Sequence, residues 1–514
     1  MTNVSNNNMH VSKQRKLGII LSYVSIGLSI LIQFLYTPFL ISKLGQSEYG
    51  LYSIVSSIIS YLTVLDLGLG NAIVVFSAKF RNLSDDKKEK TMLGMFKSVF
   101  LILAILVFII GFMIYLNIDR IFSYSLNVEE ISKLKIMTLI LLFNLFITFS
   151  FNIYSSIINA YERFVFQKIL SLLNVVLKPI LMIPLLFMGY KSIALCVVIT
   201  IINSFVMLSN YFYCKYKLKV KVKYMGFDKK IFFDILHYSF YIFLAVIVDK
   251  INWSVDHFIL GSVSGTIAVS IYTVASQINT LFVSLSTAIS GVLLPKISNM
   301  VAKKSTNNEL TKEFIKVGRI QFYIVFFMIS SLIIFGKQFF IAWVGEAFID
   351  SYYVSLILII PLFIPSIQNL GISIMQAKNM HKFRGILYLF IAICNVIISI
   401  PLAKANGAIG SALGTGIALI LGNGIIINIY YYRKVGLDII KFWKEIFKLL
   451  LPNILPIILI VLLININIFH GFTYLFVYGT IYTILYFTTI YFISMNSYER
   501  NIIKTIFNKL GGNI

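Results

Sequence analysis

Two lysine residues, Lys178 and Lys250, lie deep inside apolar stretches of this 514-residue chain. A cation at the centre of a bilayer costs about 2.5–3.5 kcal/mol on insertion scales, so an intramembrane lysine marks a functional path by default. Lys178 stands beside Pro179 near the middle of its stretch, too deep for its ammonium group to reach the interface. The pair indicates a wet, positively charged path through a membrane protein, and therefore an anionic cargo.

Further polar residues surround Lys250. Three acidic and amide residues recur at i, i+3 and i+7 and so share one face of a helix: Asp249, Asn252 and Asp256. Two others lie beside Lys250 on the neighbouring face: Trp253 and His257. Two interpretations of Lys250 are open, since it either lines the path or forms a structural ion pair with an acid on another helix. Two interpretations are also open for Asp249 and Asp256, which either couple transport to a proton or cation or have a structural role.

Asp66 precedes Gly68 and Gly70, so it either caps a break in a helix or contacts the cargo or a coupling ion. Several amides inside apolar stretches suit joining helices as well as binding sugar: Asn174, Gln277, Asn279, Gln368 and Asn369. The resulting hypothesis is a substrate path with no catalytic residue, cofactor or metal: Lys178, Lys250, Asp249, Asn252, Asp256, Asp66 and Gln277.

The remaining polar residues of interest, two histidines and three cysteines, are interpreted as structural and not as functional. His257 and His470 fit the interface between membrane and water. The three cysteines lie in or at the ends of apolar stretches, with the spacing of neither a metal site nor a disulfide framework: Cys196, Cys214 and Cys394.

The elements that must position these residues are membrane-spanning helices. Mean hydropathy is +0.89, and charged residues make up 12% of the chain, against about 25% in soluble domains. Because about 20 apolar residues span a bilayer as a helix, about fourteen stretches qualify: 17–41, 50–77, 98–116, 134–158, 169–190, 192–213, 236–260, 267–294, 318–340, 352–375, 385–403, 407–430, 449–469 and 472–494.

The net charge of +24 does not indicate a nucleic-acid partner, because the position of the cations matters more than their sum. Half of the 44 Lys and Arg residues cluster in alternate connections, at 79–90, 215–230, 296–316 and 433–448. By the positive-inside rule these connections are cytoplasmic, so both termini are predicted to be cytoplasmic. The polar start of the chain precedes an apolar run too long for a signal peptide, which predicts an uncleaved first helix.

The chain also contains a weak internal repeat. Residues 45–52 resemble 265–272, and residues 169–185 resemble 386–402, at nearly the same separation. This pattern predicts a duplicated six-helix unit with pseudo-twofold symmetry and substrate bound between the halves. The predicted parts are an N-terminal lobe, a C-terminal lobe, two extra helices and a cytoplasmic tail: 15–215, 235–434, 449–494 and 495–514.

Two classes of enzyme are disfavoured by what the sequence lacks. No stretch matches G-x-x-x-x-G-K-[ST], so the chain has no phosphate-binding loop for ATP hydrolysis. The predicted outer connections are also too short for the catalytic loop of a membrane glycosyltransferase or polymerase. Two transport alternatives stay open: a drug or small-molecule exporter, for which acids would suit a cationic cargo better, and a teichoic or teichuronic polymer flippase.

Four segments carry a family resemblance: 44–72 with LGQSEYGLYSIVSSIISYLTVLDLGLGNA, 256–277, 293–298 with LLPKIS, and 383–412. They resemble the Wzx-like polysaccharide repeat-unit flippases, in one superfamily with lipid II flippases and MATE exporters. The resemblance implies an all-α, MATE-like bacterial inner-membrane protein that moves an undecaprenyl-pyrophosphate-linked oligosaccharide of O-antigen or capsule type to the outer face. It further implies contact with membrane lipid and with the polymerase and chain-length proteins of the same pathway.

The chain departs from this family at one point. Relatives often carry an arginine soon after the DLGL element, whereas here Val74, Val75 and Phe76 follow and the first cation is Lys79. A head-group contact at that position therefore cannot be transferred to this chain.

Overall fold

A computed structural model describes residues 2–220, 222–224, 226–378, 380–465 and 471–511. Within these ranges the backbone alone is described at 2–13, 15–16, 19, 241–242, 244–246, 248–249, 251–253, 285, 288–292, 294–295, 381–382, 502 and 506–511. The described chain is helical and contains no strand. This confirms the all-α prediction, which follows because lipid offers no partner to the backbone and each spanning segment must satisfy its own hydrogen bonds.

Contacts divide the chain into two compact units, Met1–Ser270 and Ile271–Ile514. Unit 1 contains eight helices and the start of a ninth: α1 (Thr2–Leu44), α2 (Gln46–Leu62), α3 (Leu69–Asn82), α4 (Asp86–Phe122), α5 (Val128–Ala160), α6 (Phe164–Phe187), α7 (Ser192–Phe212), α8 (Lys229–Val263) and α9 (Gly265–Ala302). The helix predicted to open the second lobe, α8, thus packs within unit 1, against α2, α3 and α4.

Unit 2 contains the rest of α9 and eight further helices: α10 (Asn307–Val344), α11 (Ile349–Ile367), α12 (Asn369–Ala377), α13 (His381–Leu419), α14 (Ile427–Tyr430), α15 (Ile439–Ile464), α16 (Gly471–Thr489) and α17 (Ser497–Gly511). Its core holds many large aromatic side chains from α10, α15 and α16, among them Phe314, Phe322, Phe442 and Tyr482.

Twelve helical segments of the described chain are long and apolar enough to cross a membrane. One of them, Phe383–Val435, covers two predicted stretches, because Asn406 and Gly407 interrupt α13 with non-helical torsions. The predicted stretch at 236–260 lies on α8. Each of the fourteen predicted stretches therefore falls on helical segments, with the end of the stretch at 449–469 outside the described residues. Some stretches cover two helices: 50–77 covers α2 and α3, and 352–375 covers α11 and α12.

The ends of the helices follow local sequence signals. Asn127 and Glu130 form a capping box at the start of α5, and Thr306 and Glu309 form another at the start of α10. Such exchanges between side chain and backbone satisfy the N–H groups that have no partner in the first turn of a helix.

The two repeated segments start in the same way. Gly45, which precedes α2, has φ +83°, and Gly265, which begins α9, has φ +86°. Both torsions lie in the region that favours glycine. Within unit 1 these two starts lie together, since a Cβ at Gly50 would overlap the carbonyl oxygen of Thr266. A glycine at position 50 is therefore required for the close approach of α2 to this segment.

Candidate functional site

Lys178 lies near the middle of α6, and its side chain is half-buried. No hydrogen bond or ion pair joins its ammonium group to any residue that the structure describes. Ser171 and Asn174 lie at i−7 and i−4 on the same side of α6, and Ser171 Oγ is 3.5 Å from Ser25 Oγ of α1. The cation thus stands at one end of a polar stripe on α6.

Lys250 lies on α8, and its Nζ donates to Ser60 Oγ of α2 at 2.9 Å. Ser60 Oγ is also 3.5 Å from Ser254 Oγ, one helical turn beyond Lys250. Ser57 Oγ donates to the backbone oxygen of Ser254 at 3.0 Å. Lys250 forms no ion pair within the described part of the chain, so the ion-pair interpretation of this lysine finds no support there.

The sequence analysis missed the row of serine residues on α2 to which Ser60, the partner of Lys250, belongs. Ser53, Ser56, Ser57 and Ser60 recur on α2 at i, i+3, i+4 and i+7, a spacing that places them on one side of a helix. Four hydroxyls on one side of a membrane-spanning helix are a readable signal for a polar face. We call these four residues the α2 serine face.

Asp66 lies at a break between α2 and α3. Leu67 has φ 55° and Gly68 has φ 70°, so two consecutive left-handed residues interrupt the segment. Asn152 Nδ2 of α5 donates to Asp66 Oδ1 at 2.9 Å, and the other carboxyl oxygen faces Gly70. A helix break, which is one of the two interpretations of this aspartate, is present, and one amide donates to the Asp66 carboxyl group.

The remaining predicted path residues are distributed differently. The side chains of Asp249, Asn252 and Trp253 lie outside the described residues, and so does all of His470. Asp256 is 1% exposed, and His257 is half-buried beside it on α8. Gln277 is half-buried on α9 in unit 2. Within the described residues the structure thus brings Lys250 to the α2 serine face and places Asp66 farther along the same segment.

A second polar row that the sequence analysis missed follows α5. Asn144, Thr148, Asn152 and Ser156 recur at intervals of four residues, and Asn203 of α7 donates to Asn144 Oδ1 at 2.5 Å and to Thr148 Oγ1 at 2.7 Å. We call these α5 residues the α5 polar row. Three of its members are half-buried and Ser156 is buried, and it includes Asn152, the partner of Asp66.

Charged clusters lie at both ends of unit 1. At the end where α2 begins, buried Glu48 accepts from Lys133 Nζ at 2.6 Å and from the hydroxyl of Ser192. At the other end, buried Glu89 accepts from the hydroxyl of Ser77 and lies 3.4 Å from Arg81 Nε. Arg81 also lies over the Tyr161 ring. Both acids have cationic partners, whereas neither intramembrane lysine has an acidic partner among the described residues.

Unit 2 contains an apolar groove of about 630 Å³ along α9, α10, α11 and α16. Its lining is dominated by aromatic and aliphatic side chains, including Phe282, Phe327, Phe335, Leu475 and Tyr482. No group of three or more His, Cys, Asp or Glu residues that could hold a metal ion occurs among the residues described. Unit 1 therefore presents cationic, hydroxyl and amide groups, and unit 2 presents an apolar surface.

Comparisons with known proteins identify related chains. The profile of a family described as "Polysaccharide biosynthesis protein" matches residues 16–301, more than half of the chain. A relative from Shigella flexneri, named "Putative O-antigen transporter", is 21% identical over 393 residues, covering 74% of this chain and 90% of the relative.

Two solved structures share the fold. One is a lipid II flippase, MurJ, in an inward closed conformation, with TM-score 0.70 and 20% identity over 92% of this chain and 97% of that one. The other is an inward-facing multidrug resistance MATE family transporter of the MOP superfamily, with TM-score 0.64 and 17% identity over 82% and 99%. The resemblance found in the sequence is thereby confirmed, and the chain belongs to the polysaccharide biosynthesis protein family, as a multi-pass membrane protein with the fold of the MOP superfamily.

Proposed function

We propose that this protein is a flippase that moves an undecaprenyl-pyrophosphate-linked oligosaccharide from the cytoplasmic to the outer face of the bacterial inner membrane. The observation that carries the proposal is the pair of intramembrane lysines. Neither Lys178 nor Lys250 has a carboxylate partner among the described residues. A cation kept without an acid in a membrane favours an anionic ligand, here a pyrophosphate or an acidic sugar.

The surroundings of the lysines suit the rest of such a cargo. The α2 serine face and the α5 polar row present hydroxyl and amide groups, which can exchange hydrogen bonds with sugar hydroxyls. The apolar groove of unit 2 offers a surface for a polyprenyl chain, because its lining is aromatic and aliphatic. The relative named as an O-antigen transporter supports a polysaccharide precursor over other anions.

Two alternatives fit less well. An exporter of cationic drugs would favour unpaired acids in its path, whereas the unpaired charge on Lys178 and Lys250 is positive. The likeness to a MATE transporter shows the fold alone. A teichoic-type polymer flippase would share the mechanism and differ in its cargo, so the chemistry of the accumulated intermediate separates it from the proposed function.

The proposal includes alternating access between two lobes at 15–215 and 235–434, with both termini in the cytoplasm. The matching torsions of Gly45 and Gly265 support the duplication. Because the sequence has no phosphate-binding loop, the drive would come from an ion gradient, the membrane potential or removal of the product. A polymerase and a chain-length protein would act on the product, and the flippase itself would catalyse no reaction.

The test is complementation of a strain that lacks its own flippase, with each variant at matched protein level. We expect Lys178→Gln and Lys250→Gln to reduce surface polysaccharide sharply and to leave a lipid-linked oligosaccharide inside. Both variants should still insert, because removing an intramembrane charge favours insertion.

Lys404→Gln is the control, since Lys404 is exposed beside the break at Asn406. It should export normally. Normal export by both intramembrane variants would refute the role of the lysines, and a lipid intermediate without sugar would refute the cargo.

A further inference from the structure

We propose that Asp66 is a proton-binding group that takes up and releases a proton during the transport cycle. The first observation is its depth. About 25 Å of α2 precedes Asp66 and about 20 Å of α3 follows it, at 1.5 Å per helical residue. The carboxyl group therefore lies inside the membrane-spanning segment Gln46–Asn82, away from both ends.

The second observation is the set of partners of the carboxyl group. Asp66 has one side-chain hydrogen bond, from Asn152 Nδ2, and forms no ion pair within the described residues. An ionised carboxylate in a membrane interior is normally matched by a cation or by several donors. Glu48 and Glu89, at the two ends of unit 1, have such partners. With a single side-chain donor and no cation beside it among the described residues, the Asp66 carboxyl group is suited to being protonated, and so neutral, during part of the cycle.

Few other charged or titratable groups face this break. On α8 the nearest described cation is Lys250, which donates to Ser60 of α2, before the break. The side chains of Asp249 and Tyr241 lie outside the described residues. On α2 the last titratable residue before the break is Tyr61. On α4 the charged or titratable residues nearest the middle of the helix are Lys97 and Tyr115, which flank its apolar part. On α5, Tyr154 faces Tyr211 of α7, with ring centroids 5.0 Å apart.

The geometry favours a proton over a metal cation. A hard cation is bound by several oxygen ligands at once. Asn152 presents its N–H group, and not its oxygen, to Asp66, and a single carboxylate with a single amide donor makes a poor cage. A proton needs one oxygen atom. The members of the α5 polar row on either side of Asn152, Thr148 and Ser156, are candidates to relay it.

The break gives protonation a mechanical consequence. Leu67 is held in a left-handed conformation that costs energy for any residue with a Cβ. The Asp66–Asn152 bond ties this break to α5. Protonation removes the charge that makes Asn152 a favourable donor, so it weakens the tie and lets α2 and α3 change their angle. Only this last step, the coupling to cargo movement, rests on the proposed flippase function.

The first experiment needs no cargo. The full-length protein is reconstituted in liposomes, and infrared difference spectra are recorded between acidic and neutral buffer, in sodium chloride and in choline chloride. We expect the wild-type spectrum to contain a protonated carboxyl signal that Asp66→Asn removes and that the control Asp86→Asn retains, since Asp86 is exposed. The signal should not depend on sodium. Identical wild-type and Asp66→Asn spectra, or a signal governed by sodium, would overturn the assignment.

The second experiment measures export in the flippase-deficient strain. Asp66→Asn keeps the size of the side chain but cannot titrate, and it should reduce export to the level of the empty vector. Asp66→Glu should retain part of the export because it still titrates. Normal export by Asp66→Asn would overturn a role in the cycle, even with the infrared signal present. Should the Lys178 and Lys250 variants export normally while both Asp66 results hold, the proposed role of the lysines fails and the proton site stands.

Discussion

The ammonium group of Lys250 donates to the hydroxyl of Ser60 at 2.9 Å, so this intramembrane cation is held by a neutral group on the neighbouring helix. A hydroxyl holds the lysine in place without cancelling its charge. The charge therefore stays available to a ligand, which distinguishes this arrangement from a structural ion pair.

Placing an acid at position 60 should cancel that charge. In Ser60→Asp the new carboxylate would lie within reach of Lys250 Nζ and form an ion pair, so we expect export of surface polysaccharide to fall to the level of Lys250→Gln. Ser60→Asn is the matched control, because it keeps a polar group of similar size without a charge. Export by Ser60→Asp equal to that of Ser60→Asn would contradict the role of the free cation.

The contact between Gly50 and Thr266 should be intolerant of a side chain. A Cβ at position 50 would overlap the backbone oxygen of Thr266, and crowding of this kind costs about 1–3 kcal/mol. We expect Gly50→Ala to lower the Tm of the purified protein. Gly27→Ala is the control, since nothing lies within 4 Å of a Cβ there. Equal Tm values for the two variants would show that α2 moves aside freely.

A buried ion pair should anchor α17 to unit 2. Arg319 Nε lies 2.6 Å from Glu499 Oε1, and the Glu499 side chain is 3% exposed. Removing one partner of a buried pair costs about 3–5 kcal/mol, because the other charge is left unpaired. In Arg319→Ala we therefore expect faster proteolytic loss of the segment after residue 497.

Lys448→Ala serves as the control for that variant. Lys448 pairs with Glu445 at 2.6 Å, but its side chain is 68% exposed, and exposed pairs contribute less than about 1 kcal/mol. Proteolysis of Lys448→Ala should match the wild type. If Arg319→Ala does so as well, the pair does not anchor the helix.

The orientation of the chain can be tested by labelling single cysteines in intact cells. Lys223, Lys303 and Asn127 are exposed in the structure. With cytoplasmic termini, cysteines at 223 and 303 should react only after the membrane is permeabilised, and a cysteine at 127 should react from outside. The background is favourable because Cys196 and Cys214 are buried and Cys394 is half-buried. The opposite labelling pattern would reverse the proposed topology.

The sequence by itself determined the helices of this protein. Fourteen apolar stretches predict fourteen helical regions, because a spanning segment in lipid has no other way to satisfy its backbone. The Asp66–Gly68–Gly70 pattern also offered a break between α2 and α3 as one of two interpretations, and glycine permits the left-handed torsion found at Gly68. Helices and helix breaks depend on residues that are neighbours along the chain, so the composition and periodicity of the sequence are enough to predict them.

Only the tertiary structure decided which polar groups meet. Ser60 and Lys250 are far apart in the sequence, and so are Asp66 and Asn152, and no local pattern pairs them. The predicted boundary between lobes also differs from the boundary of unit 1, because α8 packs on α2 at Ser57 and Ser60. Apolar stretches resemble one another so closely that their composition does not specify which helices adjoin. That choice depends on the few small and polar side chains that fit together across each contact.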